Sequence, residues 1–168
     1  IADEILPQLR RSKMTLLVDV IGKSDAEINT LVNTNASALS VEELLYAGTL
    51  ATDLAKKETV YTKATEVYPS EYRGFNNLGV VKYEQGDVAA AGRCFAKALE
   101  LAPKNASVNF NSGLVALANG DDAKAEEFFG NAGGVGDALN YVNGAIAIKK
   151  ADYKTAVTLF GNAKMNNA

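Results

Sequence analysis

Arg73 and Asn77 stand one helical turn apart in the stretch YRGFNNLGVVKYE, a spacing that brings a guanidinium and an amide onto one helix face. Together they could clamp a carboxylate with bidentate hydrogen bonds. The plainer reading, which the residue types favour, is that such asparagines cap or pack ordinary helices. Asp121 and Asp122, followed by Glu126 and Glu127, could ring a cation, but acidic residues gather at helix starts without any metal. Gly133, Gly134, Val135 and Gly136 suggest a phosphate cradle, yet no Lys-Ser/Thr follows them and no strand precedes them, so they read as a helix stop.

The absences decide more. The chain has no histidine and a single cysteine. Imidazole acid–base chemistry, His-ligated metals, intrachain disulfides and cysteine clusters are therefore excluded. Cys94 has no neighbour in sequence that would lower its pKa, and reads as a small helix filler. No catalytic residue, metal ligand or cofactor site is assigned, and the chain is expected not to be an enzyme. A net charge of −3, with both signs mixed along the chain, lacks the basic face of a nucleic-acid binder. Apolar runs such as LLVDVIG are too short to span a bilayer. The glycosylation sequons at Asn35 and Asn105 matter only for a chain secreted by a eukaryote.

The elements that would position these residues are written as a repeat. Gly79, Gly113 and Gly144 each precede an apolar stretch, a turn signal, an alanine and a phenylalanine. The turns are Gly86-Asp87, Gly120-Asp121 and Ala151-Asp152. The alanine and phenylalanine are Ala91 and Phe95, then Ala125 and Phe129, then Ala156 and Phe160, with Ala98, Ala132 and Ala163 beyond. Apolar residues recur at helical spacing on both sides of each turn, as in a helical hairpin. The glycine is expected to end the first helix and the aspartate to cap the second. Small residues mark a close helix crossing, and the aromatic is expected to fill the gap between neighbouring hairpins. One hairpin cannot bury its apolar face alone, so the units must stack.

The chain at this point resembles the tetratricopeptide repeat family. Residues 72–105 carry the signature best, with Phe75, Leu78, Gly79, Ala91, Phe95, Ala98 and Pro103, although Tyr83 falls one place late. Residues 106–136 keep Gly113, Ala125, Phe129 and Ala132, with Asn109 in place of the aromatic. Residues 137–168 keep Gly144, Tyr153, Ala156, Phe160 and Ala163. Residues 41–71 fit a degenerate unit, with Tyr61, Ala64 and Pro69 but no Gly-Asp turn. The resemblance implies an all-α, right-handed α-solenoid over 41–168 and a non-catalytic scaffold for protein–protein interaction. It also implies a concave groove, lined by first helices, that takes a peptide segment or helix of another protein. By position, the partner-binding candidates are Arg73, Asn76, Asn77, Tyr83, Asn111, Tyr141 and Lys149, with Val80, Glu84, Phe110, Leu114 and Ala145 beside them. Asn77 and Asn111 fall where family members hold a ligand backbone. The lysines of the family's carboxylate clamp are replaced by Asn76 and Val80.

Residues 1–40 read as a helix-strand-helix segment left over from an upstream domain. Met14, Leu16, Val18 and Val20 alternate as in a strand. Ser24 with Glu27 forms a capping box opening a helix to about Val32, NTNASAL is a polar linker, and Ser40 with Glu43 is a second capping box. LRRSKMTLLVDVIG resembles the closing helix and strand of an outer-membrane-protein-A-like domain. That resemblance implies a periplasmic or outer-membrane-associated protein of the bacterial cell envelope, the alternative being a cytoplasmic one. The repeats would then serve as a scaffold or, alternatively, as a structural tether for a peptidoglycan-binding domain. Both ends are expected to continue in a longer parent and to drive self-association.

Overall fold

The computed structural model describes residues 22–163. Helix α1 (Asp25–Thr34) leads into a 3-10 turn (Ala36–Ala38). Four antiparallel hairpins follow. They are α2 (Val41–Leu50) with α3 (Leu54–Val67), and α4 (Tyr72–Glu84) with α5 (Val88–Leu101). The third is α6 (Ala106–Ala118) with α7 (Asp122–Gly130), and the fourth α8 (Asp137–Lys149) with α9 (Tyr153–Asn162). Every helix packs on its sequence neighbours, which gives an α-solenoid. Among the described residues there is no strand, and the strand expected over 14–21 lies outside them.

Helix boundaries follow local chemistry. Both expected capping boxes form: Ser24 and Ser40 accept from the backbone of Glu27 and Glu43, whose carboxylates reach back to the cap N–H. Second helices start on aspartates whose side chains accept a backbone N–H in the first turn: Asp53, Asp87, Asp121 and Asp152. Between α4 and α5 the N–H of Gly86 bonds the Tyr83 carbonyl, and that of Asp87 the Lys82 carbonyl, each at 2.9 Å. This is a Schellman turn, and it needs a residue at positive φ, which Gly86 supplies at 83°. Gly120 repeats it, and in the last hairpin Ala151 is held at φ 60° in the same turn.

The crossing inside each hairpin is set by a glycine under an aromatic ring. A Cβ built on Gly79 would lie 2.5 Å from Phe95, and one on Gly113 would lie 2.4 Å from Phe129. Gly144 meets Phe160 more loosely, at 2.9 Å. The aromatic therefore fills the gap inside its own hairpin as well as the one expected between hairpins, where Phe95 packs with Val115 of the next unit. The first hairpin uses the same device with Gly48 under Tyr61, at 2.2 Å. Its α2 has ten residues where α4, α6 and α8 have thirteen, so the match is hidden in the spacing.

Two differences from expectation lie near the start. NTNASAL is a folded turn rather than a polar linker: Leu39 and Ala36 are buried, and the Tyr68 hydroxyl donates to the Leu39 carbonyl at 2.7 Å. A single core then crosses residue 40, with Ile28 and Val32 of α1 packed against Leu44, Ala47, Val60 and Ala64. The second core joins Phe129 to Val142 and Ile146, across the joint between the last two hairpins.

Candidate functional site

First helices line one side of the stack. Helix α4 touches α6 directly, while their second helices α5 and α7 make no comparable contact, so the array closes on the α4–α6 side. This is the face on which the candidate residues were expected.

Arg73 does hold carboxylates, but they come from this chain. Its Nη1 and Nη2 donate to Glu42 at 3.1 and 2.8 Å, and its Nε and Nη2 donate to Glu71 at 2.9 and 3.0 Å. Glu71 is also the N-cap of α4, accepting from the Arg73 N–H at 3.2 Å. The guanidinium holds the Glu71 carboxyl below the usual carboxylate range. A fork satisfied on both sides has no room for a ligand carboxylate without displacing one of these acids.

Asn76, Asn77 and Asn111 are brought together. Asn111 Nδ2 on α6 donates to Asn76 Oδ1 on α4 at 2.9 Å, and Asn76 Nδ2 donates to Asn77 Oδ1 at 3.4 Å. The relay presents an acceptor, Asn111 Oδ1, at one end and, at the other, the Asn77 Nδ2 donor, one of whose hydrogens faces the Tyr61 hydroxyl. These are the complements of the N–H and C=O of an extended peptide. Burial pushes the Tyr61 hydroxyl up in pKa, and the Asn77 amide beside it pulls partly back. Helix α6, which floors this face, carries no charged residue at all.

The remaining candidates are more scattered. Val80 and Tyr83 pack against the Ala91, Phe95 and Val115 cluster, and Glu84 is exposed. Phe110 and Leu114 pack on the second core, Phe110 tilted against Phe129 with ring centroids 5.6 Å apart. Ala145 on α8 is half-buried. Tyr141 is exposed and stands edge-on to Phe160, also at 5.6 Å. Lys149 pairs with Asp122 at 2.7 Å and Lys150 with Glu126, so these acids brace the next hairpin. Asp121 serves as the cap of α7. Gly134 and Gly136 take positive φ in the turn leading to α8, and α7 ends at Gly130. Burial raises the pKa of Cys94, which keeps it a thiol at neutral pH.

Glu42, Glu71 and Tyr61 were not anticipated at this face. Glu42 opens α2 one place before Glu43, as Arg73 opens α4 one place after its first residue. Opposite charges at matching places of successive first helices were the available signal.

Asn109 takes the place of the expected aromatic and is only 2% exposed. Its Nδ2 donates to the carbonyls of Pro103 and Asn105, both at 2.9 Å, so the buried amide closes the turn before α6. Among the described residues, no helix is long and apolar enough to cross a membrane.

Residues 58–106 and 76–132 match a tetratricopeptide repeat family model. No curated protein matches the chain. Among solved structures, a crystal structure of MamA shares 19% identity, covering 83% of this chain and 84% of that one, with a TM-score of 0.68. PilF of Pseudomonas aeruginosa shares 20% identity over 80% of this chain and 64% of its own, with a TM-score of 0.66. A chain of the Cut9–Hcn1 hetero-tetramer of APC/C shares 17% over 82% of this chain and 27% of its own, with a TM-score of 0.70. At these identities the likeness is one of fold. Residues 58–132 are thus similar to tetratricopeptide repeats, and proteins with such repeats generally act as scaffolds for protein interaction.

Proposed function

We propose that this array binds an extended segment of another protein along its first-helix face, and reads it through amides and apolar contact rather than through charge. The observation that carries this is the Asn111–Asn76–Asn77 relay across α6 and α4, on a floor without charge. Arg73, with its fork already filled by Glu42 and Glu71, positions α4 against α2 and leaves the clamp role unused. Tyr141, exposed on α8, extends the face toward the last hairpin, whereas Tyr83 packs on the apolar cluster and Lys149 is held by Asp122. The resemblance of residues 9–22 to the end of an outer-membrane-protein-A-like domain favours work in a bacterial cell envelope, and fractionation of the source cells tests that separately.

The binding test is a selection of peptides from a random library against the 168-residue chain. Binders are expected to lose affinity about tenfold on Asn111→Ala, which removes one end of the relay. They should shift the amide resonances of α4 and α6. Failure to select any peptide, or binders indifferent to Asn111→Ala and Tyr141→Ala alike, would overturn the reading.

A further inference from the structure

Between α3 and α4 lies a pocket of about 150 Å³, bounded by Lys57 and Tyr61 of α3 and by Asn77, Val80, Val81 and Glu84 of α4. Small-molecule sites start at roughly 300 Å³, so this one suits a single side chain of a bound peptide. The charges around it are unevenly matched. Glu58, next to Lys57, is held by Lys82 of α4 at 2.6 Å, and that pair ties the two helices together. Lys57 and Glu84 bound the same pocket, yet they pair neither with each other nor with any other charge among the described residues. The Tyr61 hydroxyl, set against the Asn77 amide, keeps its own proton to donate.

We propose that this pocket is a socket for a carboxamide side chain, glutamine or asparagine. The socket's use rests on the peptide-binding reading of the first-helix face, and it names one residue class within the bound segment. A carboxamide carries an acceptor and a donor on one small neutral group. Its oxygen accepts from the Lys57 ammonium and the Tyr61 hydroxyl, and its NH2 donates to the Glu84 carboxylate. Each lone charge thereby gains a charge-assisted hydrogen bond. Val80 and Val81 flank the methylene stem. A carboxylate would gain Lys57 but meet Glu84, and an ammonium would gain Glu84 but meet Lys57, so the two charges select against both. Asn77 belongs to the relay as well as to the pocket, which sets the socket beside the peptide backbone.

Propionamide, the glutamine side chain cut at Cβ, tests the socket without any peptide. Titrated to about 100 mM, the weak limit for a ligand of this size, it is expected to shift the Asn77 side-chain amide and the Val80 and Val81 methyl resonances. Its Kd should lie at least about fivefold below those of propionate and butylammonium. Lys57→Met should turn the preference toward butylammonium, and Glu84→Gln toward propionate, with the far-UV spectrum unchanged. A merely structural role for these two residues would not move the selectivity in opposite directions. No shift at the pocket, equal binding of the three probes, or a selectivity unmoved by both substitutions overturns the proposal. Use of the socket by a peptide is read in pools selected from the random library. Glutamine or asparagine is expected to be enriched at one fixed position against the native chain and not against Lys57→Met, and pools without such a position also overturn the proposal. A library that yields no binder overturns the peptide reading alone, since propionamide decides the preference of the pocket independently.

Discussion

Gly79 and Phe95 approach so closely that a Cβ on the glycine would sit 2.5 Å from the ring. Adding that methyl group brings two opposed effects. Alanine is the better helix former, by about 1 kcal/mol. The ring, buried between hairpins, cannot move aside without disturbing its neighbours, and overpacking of this kind costs about 1–3 kcal/mol. Gly79→Ala and Gly113→Ala are therefore expected to destabilise. Gly48→Ala belongs with them, since its Cβ would lie 2.2 Å from Tyr61. Gly144→Ala should be close to neutral, because Phe160 stands off at 2.9 Å and is less buried. Denaturant unfolding of the four variants checks the order, and a loss at Gly144 as large as that at Gly113 would contradict it.

Ala151 holds φ 60° in a turn where the two earlier hairpins place Gly86 and Gly120. A Cβ in the left-handed region costs about 1–2 kcal/mol. Glycine gives back part of that through its freer unfolded chain. The net expectation for Ala151→Gly is a stabilisation of up to about 1 kcal/mol, confined to the last hairpin. Hydrogen exchange of α8 and α9 reads this directly. Faster exchange in the variant would show that the turn is not strained.

These relationships divide by range. Caps and turns were legible because each is written within six residues: Ser24 with Glu27, Ser40 with Glu43, and Gly86 with Asp87 beside the Tyr83 and Lys82 carbonyls. The glycines and aromatics of the three later hairpins were legible because their spacing is constant, but their packing on each other inside one hairpin was not, since the aromatic was expected between hairpins. The pair of the first hairpin was not legible, because α2 is three residues shorter and Tyr61 therefore falls early against Gly48. The Arg73–Glu42 pair was hidden for another reason. It spans 31 residues, and its signal, opposite charges at the second place of successive first helices, shows only once the repeats are aligned on each other. Leu39 read as linker because its neighbours are polar, although Tyr68 and the first core bury it.

The filled fork of Arg73 makes a prediction about ligand charge. The native chain should bind peptides with a free C-terminal carboxylate and their C-terminal amides equally well. Replacing both acids, as Glu42→Gln with Glu71→Gln, frees the guanidinium while keeping the side-chain volumes. The double variant should then favour the free acid severalfold, through a bidentate contact beside Asn77. Fluorescence anisotropy with matched acid and amide peptides measures it. A native preference for the acid would mean that Glu42 yields its place to ligand.

Stability should be flat near neutrality and fall on both sides. With no histidine in the chain, no side chain has an ordinary pKa between about 5 and 8. On the acid side, Glu58 beside Lys82, Glu71 beside Arg73, and Asp152 at the cap of α9 are all lowered from their ordinary 4.5, 4.5 and 3.8. A lowered carboxylate binds its proton less tightly when folded. It therefore stabilises the fold above the unfolded pKa, and that contribution is lost as pH falls through the folded one. The midpoint should begin to drop near pH 4.5 and continue below 3.8. On the alkaline side the sign reverses. Burial raises Cys94 from 9.0 and Tyr61 from 10.0, so both hold their protons more tightly when folded. Their contribution is complete below those values and is lost as pH rises through the folded pKa values. Thermal unfolding from acid to alkaline pH should show a plateau with two falling limbs. In Cys94→Ser the alkaline limb should start later, because the first group to resist ionisation is gone. An alkaline limb unmoved by that substitution would place its origin elsewhere than the half-buried thiol on α5.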